Sequence, residues 1–228
     1  MILNRNLLSY EGFQEEFKII VDNIDKAYEK VISVNNLPSN TVLVIIDMIN
    51  GFSKGGNLYS KNMENLIPNI VDISTKFHHN NYPILAYKDS HEKSSIEFDS
   101  YPTHCVVGTE ECELISELKN INSIIQLEKN STNAFLSYNP EEVLKKHFGK
   151  ENEFNNYVVV GGCTDICIYQ FALTLKTYFN EHNRNSRVIV PVNMVDTFSA
   201  NGHNDDISNI LFLNSMIANG IEVIKTIE

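Results

Sequence analysis

No apolar run in this 228-residue chain approaches the roughly 18 residues that a membrane-crossing helix needs, so a helical membrane protein is excluded. Basic residues are scarce: 18 Lys and Arg stand against 29 Asp and Glu, a formal net charge of -11. That balance argues against a nucleic-acid or anionic-membrane partner. There is no internal repeat, low-complexity tract or linker that would divide the chain into separate globular units. Cysteine is sparse as well, at positions 105, 112, 163 and 167. The four lie in strand- and helix-like surroundings rather than in a small loop-rich scaffold, the usage of reduced thiols in a cytosolic protein. Residues 1–10 lack the basic-then-apolar layout of a secretory leader, and a cytoplasmic location is expected.

What is present alternates. Buried-strand runs at 41–47, 83–87, 122–127, 157–160, 187–191 and 221–225 are separated by helical patterns at 63–80, 140–148, 165–181 and 205–218. Strands alternating with helices imply an α/β fold: three layers, α/β/α, around a mostly parallel, doubly wound sheet. Ahead of it, residues 1–40 form a prefix. Its 11–32 stretch predicts an amphipathic helix with Phe13, Phe17, Ile20, Ile24 and Tyr28 on one face. Two units are therefore expected, a helical extension over 1–40 and an α/β domain over 41–228.

In such sheets the site lies beyond the carboxyl ends of the strands. Asp47, Asp89, Lys129 and the turn Gly161-Gly162-Cys163-Thr164-Asp165-Ile166-Cys167 all fall at those ends. With Thr164 as N-cap, Cys167 enters the first turn of a helix, where unpaired N–H groups and the helix dipole favour a thiolate. Taken alone, Cys167 reads more readily as an inert buried thiol. A cysteine nucleophile needs a base and a nearby cation, however, and Asp47 and Lys129 supply both. The long aperiodic stretch 89–113 carries Asp89, His91, Glu97 and His104, two imidazoles and two carboxylates that suit Zn²⁺, Fe²⁺ or Mn²⁺. Cys105 and Cys112 read as core or supporting thiols, and His78-His79 as a solvated helix end.

Three motifs in order resemble the isochorismatase-like cysteine hydrolases, and within them the nicotinamidases: VLVIIDMINGFSKGGNL (42–58), LEKNSTNAF (127–135) and VVVGGCTDICI (158–168). The resemblance covers roughly 41–226 and implies Asp47, Lys129 and Cys167 as the catalytic set, with Cys167 rather than Cys163 as nucleophile. It implies a cis peptide between Gly162 and Cys163, and an oxyanion hole from the backbone N–H groups of Cys163 and Cys167. The segment Tyr101-Pro102-Thr103-His104-Cys105-Val106-Val107-Gly108-Thr109 is similar to the nicotinamidase metal loop. This similarity implies Asp89, His91 and His104 as metal ligands, with Glu97 where some members use glutamate. Phe52 matches the aromatic that stacks on the substrate ring. Tyr101 stands where a Trp is common and is expected on the other face. The implied reaction is metal-assisted hydrolysis of a small carboxamide, nicotinamide above all, with another small amide or ureide as the alternative. A homo-oligomer is implied by resemblance only.

Overall fold

The computed structural model describes residues 10–228. Residues 1–9, which carry most of the leader argument and the start of the prefix, lie outside the described residues. Six strands, β1 (Thr41–Ile46), β2 (Ile84–Asp89), β3 (Ile124–Lys129), β4 (Asn156–Gly162), β5 (Arg187–Pro191) and β6 (Glu222–Ile224), pair in parallel in the spatial order β3-β2-β1-β4-β5-β6. A short strand, Val195–Asp196, joins the end of β4 beyond β5. Order reverses between β1 and β4, so the crevice at their carboxyl ends is the topological switch point.

The central strands are buried on both faces, which is why they read as continuous Val and Ile runs. Their side chains divide by the two-residue period. Val42, Val44, Ile46 and Val159 enter one core, while Leu43, Ile45, Val158 and Val160 enter the other. Each such side chain contributes about 1.5–3 kcal/mol when taken fully from water. On the Leu43 face packs α2 (Ile67–His79), opened by Pro68. The Val44 face holds α3 (Pro140–Phe148), α4 (Tyr169–Glu181) and α5 (Asp205–Ala218). Asn139 and Asn204 cap α3 and α5, accepting bonds from Glu141 N and Ile207 N.

The prefix helix runs over Tyr10–Tyr28, shorter than the amphipathic pattern suggests. The chain then turns extended, and Val31–Ile32 pairs in parallel with Thr226–Ile227. β-branched residues at the end of an apolar stripe favour a strand once a partner edge is within reach. Ile24 and Ala27 of the helix sit in the Val44-side core, and Asn23 Nδ2 donates to Asn214 Oδ1 of α5 at 3.1 Å. Phe13 and Tyr28 are exposed, so the buried stripe is narrower than the sequence suggests. Among the described residues no helix is long and apolar enough to cross a membrane.

Candidate active site

Three strand ends and one turn bring the expected residues together. Asp47 follows β1 with φ +57°, a left-handed conformation that Asp tolerates better than most side chains. Its N–H donates to Tyr87 O at 2.9 Å and its Oδ1 accepts from Asp89 N at 3.0 Å. Register places Asp89 directly beside Lys129 across β2 and β3. The Lys129 ammonium is thereby driven between the two carboxylates: it is 2.9 Å from Asp47 Oδ2 and also hydrogen-bonds Asp89 Oδ1. It approaches Cys167 Sγ at 3.7 Å. Asp47, Lys129 and Cys167 are all buried.

The turn that carries Cys167 depends on glycine. Gly161 has φ +114°, and a Cβ there would collide with the carbonyl oxygen of Ile46, its register partner on β1. The Gly162–Cys163 peptide is cis. Cys163, not Thr164, is the N-cap, and residues Thr164–Ile168 form a single π-helical turn before α4. Thr164 Oγ1 is buried without a hydrogen bond. The wider turn brings the N–H groups of Ile166 and Ile168 onto Cys163 O, both at 3.1 Å, leaving the Thr164 hydroxyl no capping role.

Charges in this corner are strongly coupled. Burial and the Asp89 carboxylate raise the Asp47 pKa to about 7 against the pull of Lys129. Burial likewise raises the Cys167 thiol, although Lys129 opposes it. Lys129 is disfavoured as a cation by burial, but Asp47 and Asp89 outweigh that and hold it charged. Bonds from Lys129 and from the Cys167 thiol favour the Asp47 carboxylate but do not offset its burial.

Asp89, His91, Glu97 and His104 converge beside this group, each offering a ligand atom within 4.8 Å of the others. Their orientations suit a cation. His91 Nδ1 donates to Asn130 Oδ1 at 3.1 Å, and His104 Nδ1 donates to Pro102 O at 2.8 Å. Both rings therefore present Nε2 lone pairs inward, where those atoms lie 3.6 and 3.7 Å from Asp89. His91 Nε2 is buried with no hydrogen-bond partner among the described residues. Glu97 is raised by burial and then by the Asp89 charge, the repulsion that a shared cation relieves. The set fits a divalent metal. The loop is held by a bridge between His91 and Val106: His91 N donates to Cys105 O and Val107 N to His91 O, each at 2.9 Å.

A cavity of about 480 Å³ opens over both groups. Asp47, Cys163, Cys167, Asp89, Glu97 and His104 line it, as do Phe52 and Tyr101. Phe52 and Tyr101 flank the His104 ring at 5.8 and 6.3 Å. Sequence reasoning missed Phe98, edge-on to both imidazoles at 5.5 and 5.6 Å, and the Asn130 carbonyl behind His91. It also missed Met63, Ile166 and Phe198, which line the cavity. Asn130 follows Lys129 directly, and that adjacency was its one available signal. Cys105 and Cys112 are buried in the Leu43-side core.

A family model described as an isochorismatase domain matches residues 41–227. Nicotinamidase 1 of Arabidopsis thaliana is 30% identical over 185 residues, covering 72% of this chain and 69% of that protein. The crystal structure of a Pyrococcus horikoshii pyrazinamidase in complex with zinc has a TM-score of 0.65 and 19% identity, covering 83% of this chain and 98% of that one. N-carbamoylsarcosine amidase from Thermoplasma acidophilum has a TM-score of 0.63 and 21% identity, covering 82% and 95%.

Proposed function

This chain belongs to the isochorismatase family, and we propose that it is a cysteine amidohydrolase that converts nicotinamide and water to nicotinate and ammonia. One observation carries the reading. Asp47 and Cys167, joined through the buried Lys129 ammonium, line the same cavity as a cluster with divalent-metal geometry. The likeness to a plant nicotinamidase supports the choice of amide.

At rest the buried thiol keeps its proton. Asp47, on which the Cys167 thiol and the Lys129 ammonium both bear, accepts that proton as the sulfur attacks the carboxamide carbon. The backbone N–H groups of Cys163 and Cys167 meet the developing oxyanion, an interaction worth roughly 3–4 kcal/mol of barrier per donor. Asp47 then returns its proton to the amide nitrogen. Ammonia leaves, and the acyl group remains on Cys167 as a thioester. Water attacks the thioester carbon as Asp47 takes its proton, nicotinate departs, and the sulfur recovers a proton from Asp47. Lys129 stays charged throughout and keeps the carboxylate and sulfur in register. Phe52 and Tyr101 hold the ring. When bound by Asp89, His91, Glu97 and His104, a divalent cation such as Zn²⁺, Fe²⁺ or Mn²⁺ supplies a Lewis-acidic anchor for the pyridine nitrogen.

A second reading keeps the same three residues but takes another small amide or ureide. Ammonia release from nicotinamide and from a panel of small amides and ureides, before and after chelation and metal add-back, tests both. Metal-restored release from nicotinamide supports the first reading. Release from another panel member alone selects the second.

A further inference from the structure

One wall of the cavity is a small hairpin that is tied to the nucleophile turn through one histidine. Ala200 and His203 exchange both backbone hydrogen bonds, at 2.9 and 3.0 Å, so the chain folds back and lays the His203 ring on Phe198. The two rings stack at 4.1 Å with an interplanar angle of 9°. Phe198, Ser199 and Ala200 line the cavity. His203 itself does not, and it contacts none of the groups assigned to chemistry or to metal binding.

The hydrogen-bond pattern fixes the charge of His203. Its Nδ1 faces Phe198 O at 2.8 Å, and a carbonyl only accepts. Its Nε2 faces Asp165 Oδ2 at 2.7 Å, with Ser208 Oγ farther off at 3.3 Å. One proton must occupy Nδ1 and another must lie between Nε2 and the carboxyl. Of the two groups a carboxyl is ordinarily the stronger acid by about two pKa units, so the second proton is on the ring. Asp165 is a residue of the turn between Cys163 and Cys167, and its Oδ1 accepts from Thr197 Oγ1 at 2.6 Å, securing the other end of the same wall. We propose that His203, doubly protonated, is a positioning residue that clasps the Phe198–Ala200 wall to the nucleophile turn, so that affinity for an aromatic substrate depends on its charge.

The surroundings agree. Burial draws the His203 pKa down, but the bonds to Asp165 and to the Phe198 carbonyl outweigh it and leave the ring above the ordinary histidine value. From α5, Ser208 faces the ring, and Asp205 and Asp206 stand in the first turn. Asp205 is engaged by Asn62 Nδ2 at 2.7 Å. Within its own segment, Asp196 is taken by Asn209 Nδ2 and Thr197 N, both at 2.8 Å. Asp165 is therefore the carboxylate bonded to the ring. A histidine whose folded pKa is raised contributes fully below its unfolded pKa, and the contribution is lost as pH rises through the folded value. The wall is accordingly seated below the ordinary histidine midpoint and released as pH rises through the raised folded value.

The assignment of an aromatic amide rests on the function proposed above, and the test separates the two. Ring ¹⁵N spectra of the metal-loaded protein, with His203 identified by its absence in His203→Gln, report the charge directly. More than half of the ring is doubly protonated at about pH 6.5, the ordinary histidine midpoint; half or less overturns the proposal. In steady state His203→Gln raises KM about tenfold, the loss of one charge-assisted hydrogen bond, changes kcat less than about threefold, and removes the rise in KM that accompanies His203 deprotonation. An unchanged KM and pH profile overturns the proposal. If no amide is turned over, the functional reading fails, but the wall is still judged by alkylation of Cys167. The rate ratio of N-phenyliodoacetamide to iodoacetamide falls in His203→Gln if the wall is clasped by this ring, and an unchanged ratio overturns the proposal. Should His203→Gln not fold by circular dichroism, Phe198→Leu is the second variant. It lowers the same ratio while His203 stays protonated, and an unchanged ratio again counts against the clasp.

Discussion

The two halves of the site are built differently. Asp47, Lys129 and Cys167 hang from strand ends and one tight turn, wholly buried, with the Lys129 ammonium paired both to Asp47 and to Asp89. The residues of the 89–104 loop are held by backbone carbonyls and an asparagine. They bring two carboxylates together and leave an imidazole nitrogen without a partner. The first half is complete as folded. On the function proposed above the second is completed by a cation, and Lys129, which pairs with Asp89 as well as with Asp47, is the joint. A rigid sheet can set a proton-transfer group without help, whereas a loop that gathers like charges needs an external ion to close it.

That contrast can be broken most severely at the joint. Lys129→Met leaves Asp47 and Asp89 buried without their counter-ion, and a loss of about 3–5 kcal/mol is expected, read from the urea midpoint of the metal-free protein. A smaller loss would mean that one carboxylate is neutral at rest. Asn130→Ala acts on the loop half alone. It frees the His91 ring to rotate, and metal affinity drops about 10- to 100-fold, measured by competition with a chromophoric chelator, while metal-free stability changes little. Least affected is a site remote from both halves. Arg187→Ala, which removes the half-exposed pair with Glu222, costs less than about 1 kcal/mol in a thermal melt and leaves metal affinity unchanged.

The same division governs what could be read from the sequence. Parallel strands buried on both faces announce themselves as unbroken Val and Ile runs, so Asp47, Asp89 and Lys129 could be placed at strand ends without coordinates. Cys167 followed from Gly161-Gly162 and the helix pattern after it. The details of that turn were not legible, because a π-helical turn capped by Cys163 has the same composition as an ordinary helix start, and Thr164 is the better cap by residue type. Glu97 was legible as the second carboxylate of a loop that also carries two imidazoles, and the resemblance supported that choice. The strand at Val31–Ile32 was hidden because its partner lies nearly two hundred residues away, and two β-branched residues end a helix pattern as readily as they begin a strand. Asp165 and His203, 38 residues apart, share no local pattern at all. Contacts that depend on tertiary closure leave no periodicity to read.

The central claim is that Cys167, and not its neighbour Cys163, carries the acyl group of a small amide. The most direct test is ammonia release from nicotinamide by the metal-loaded protein, with Cys167→Ala and Cys163→Ala side by side. The account predicts loss of turnover by about 10⁴-fold or more in Cys167→Ala with the fold and bound metal retained. Cys163→Ala, which keeps the backbone N–H, should retain most of its activity. Appreciable turnover by Cys167→Ala, or its loss in Cys163→Ala alone, would contradict the account.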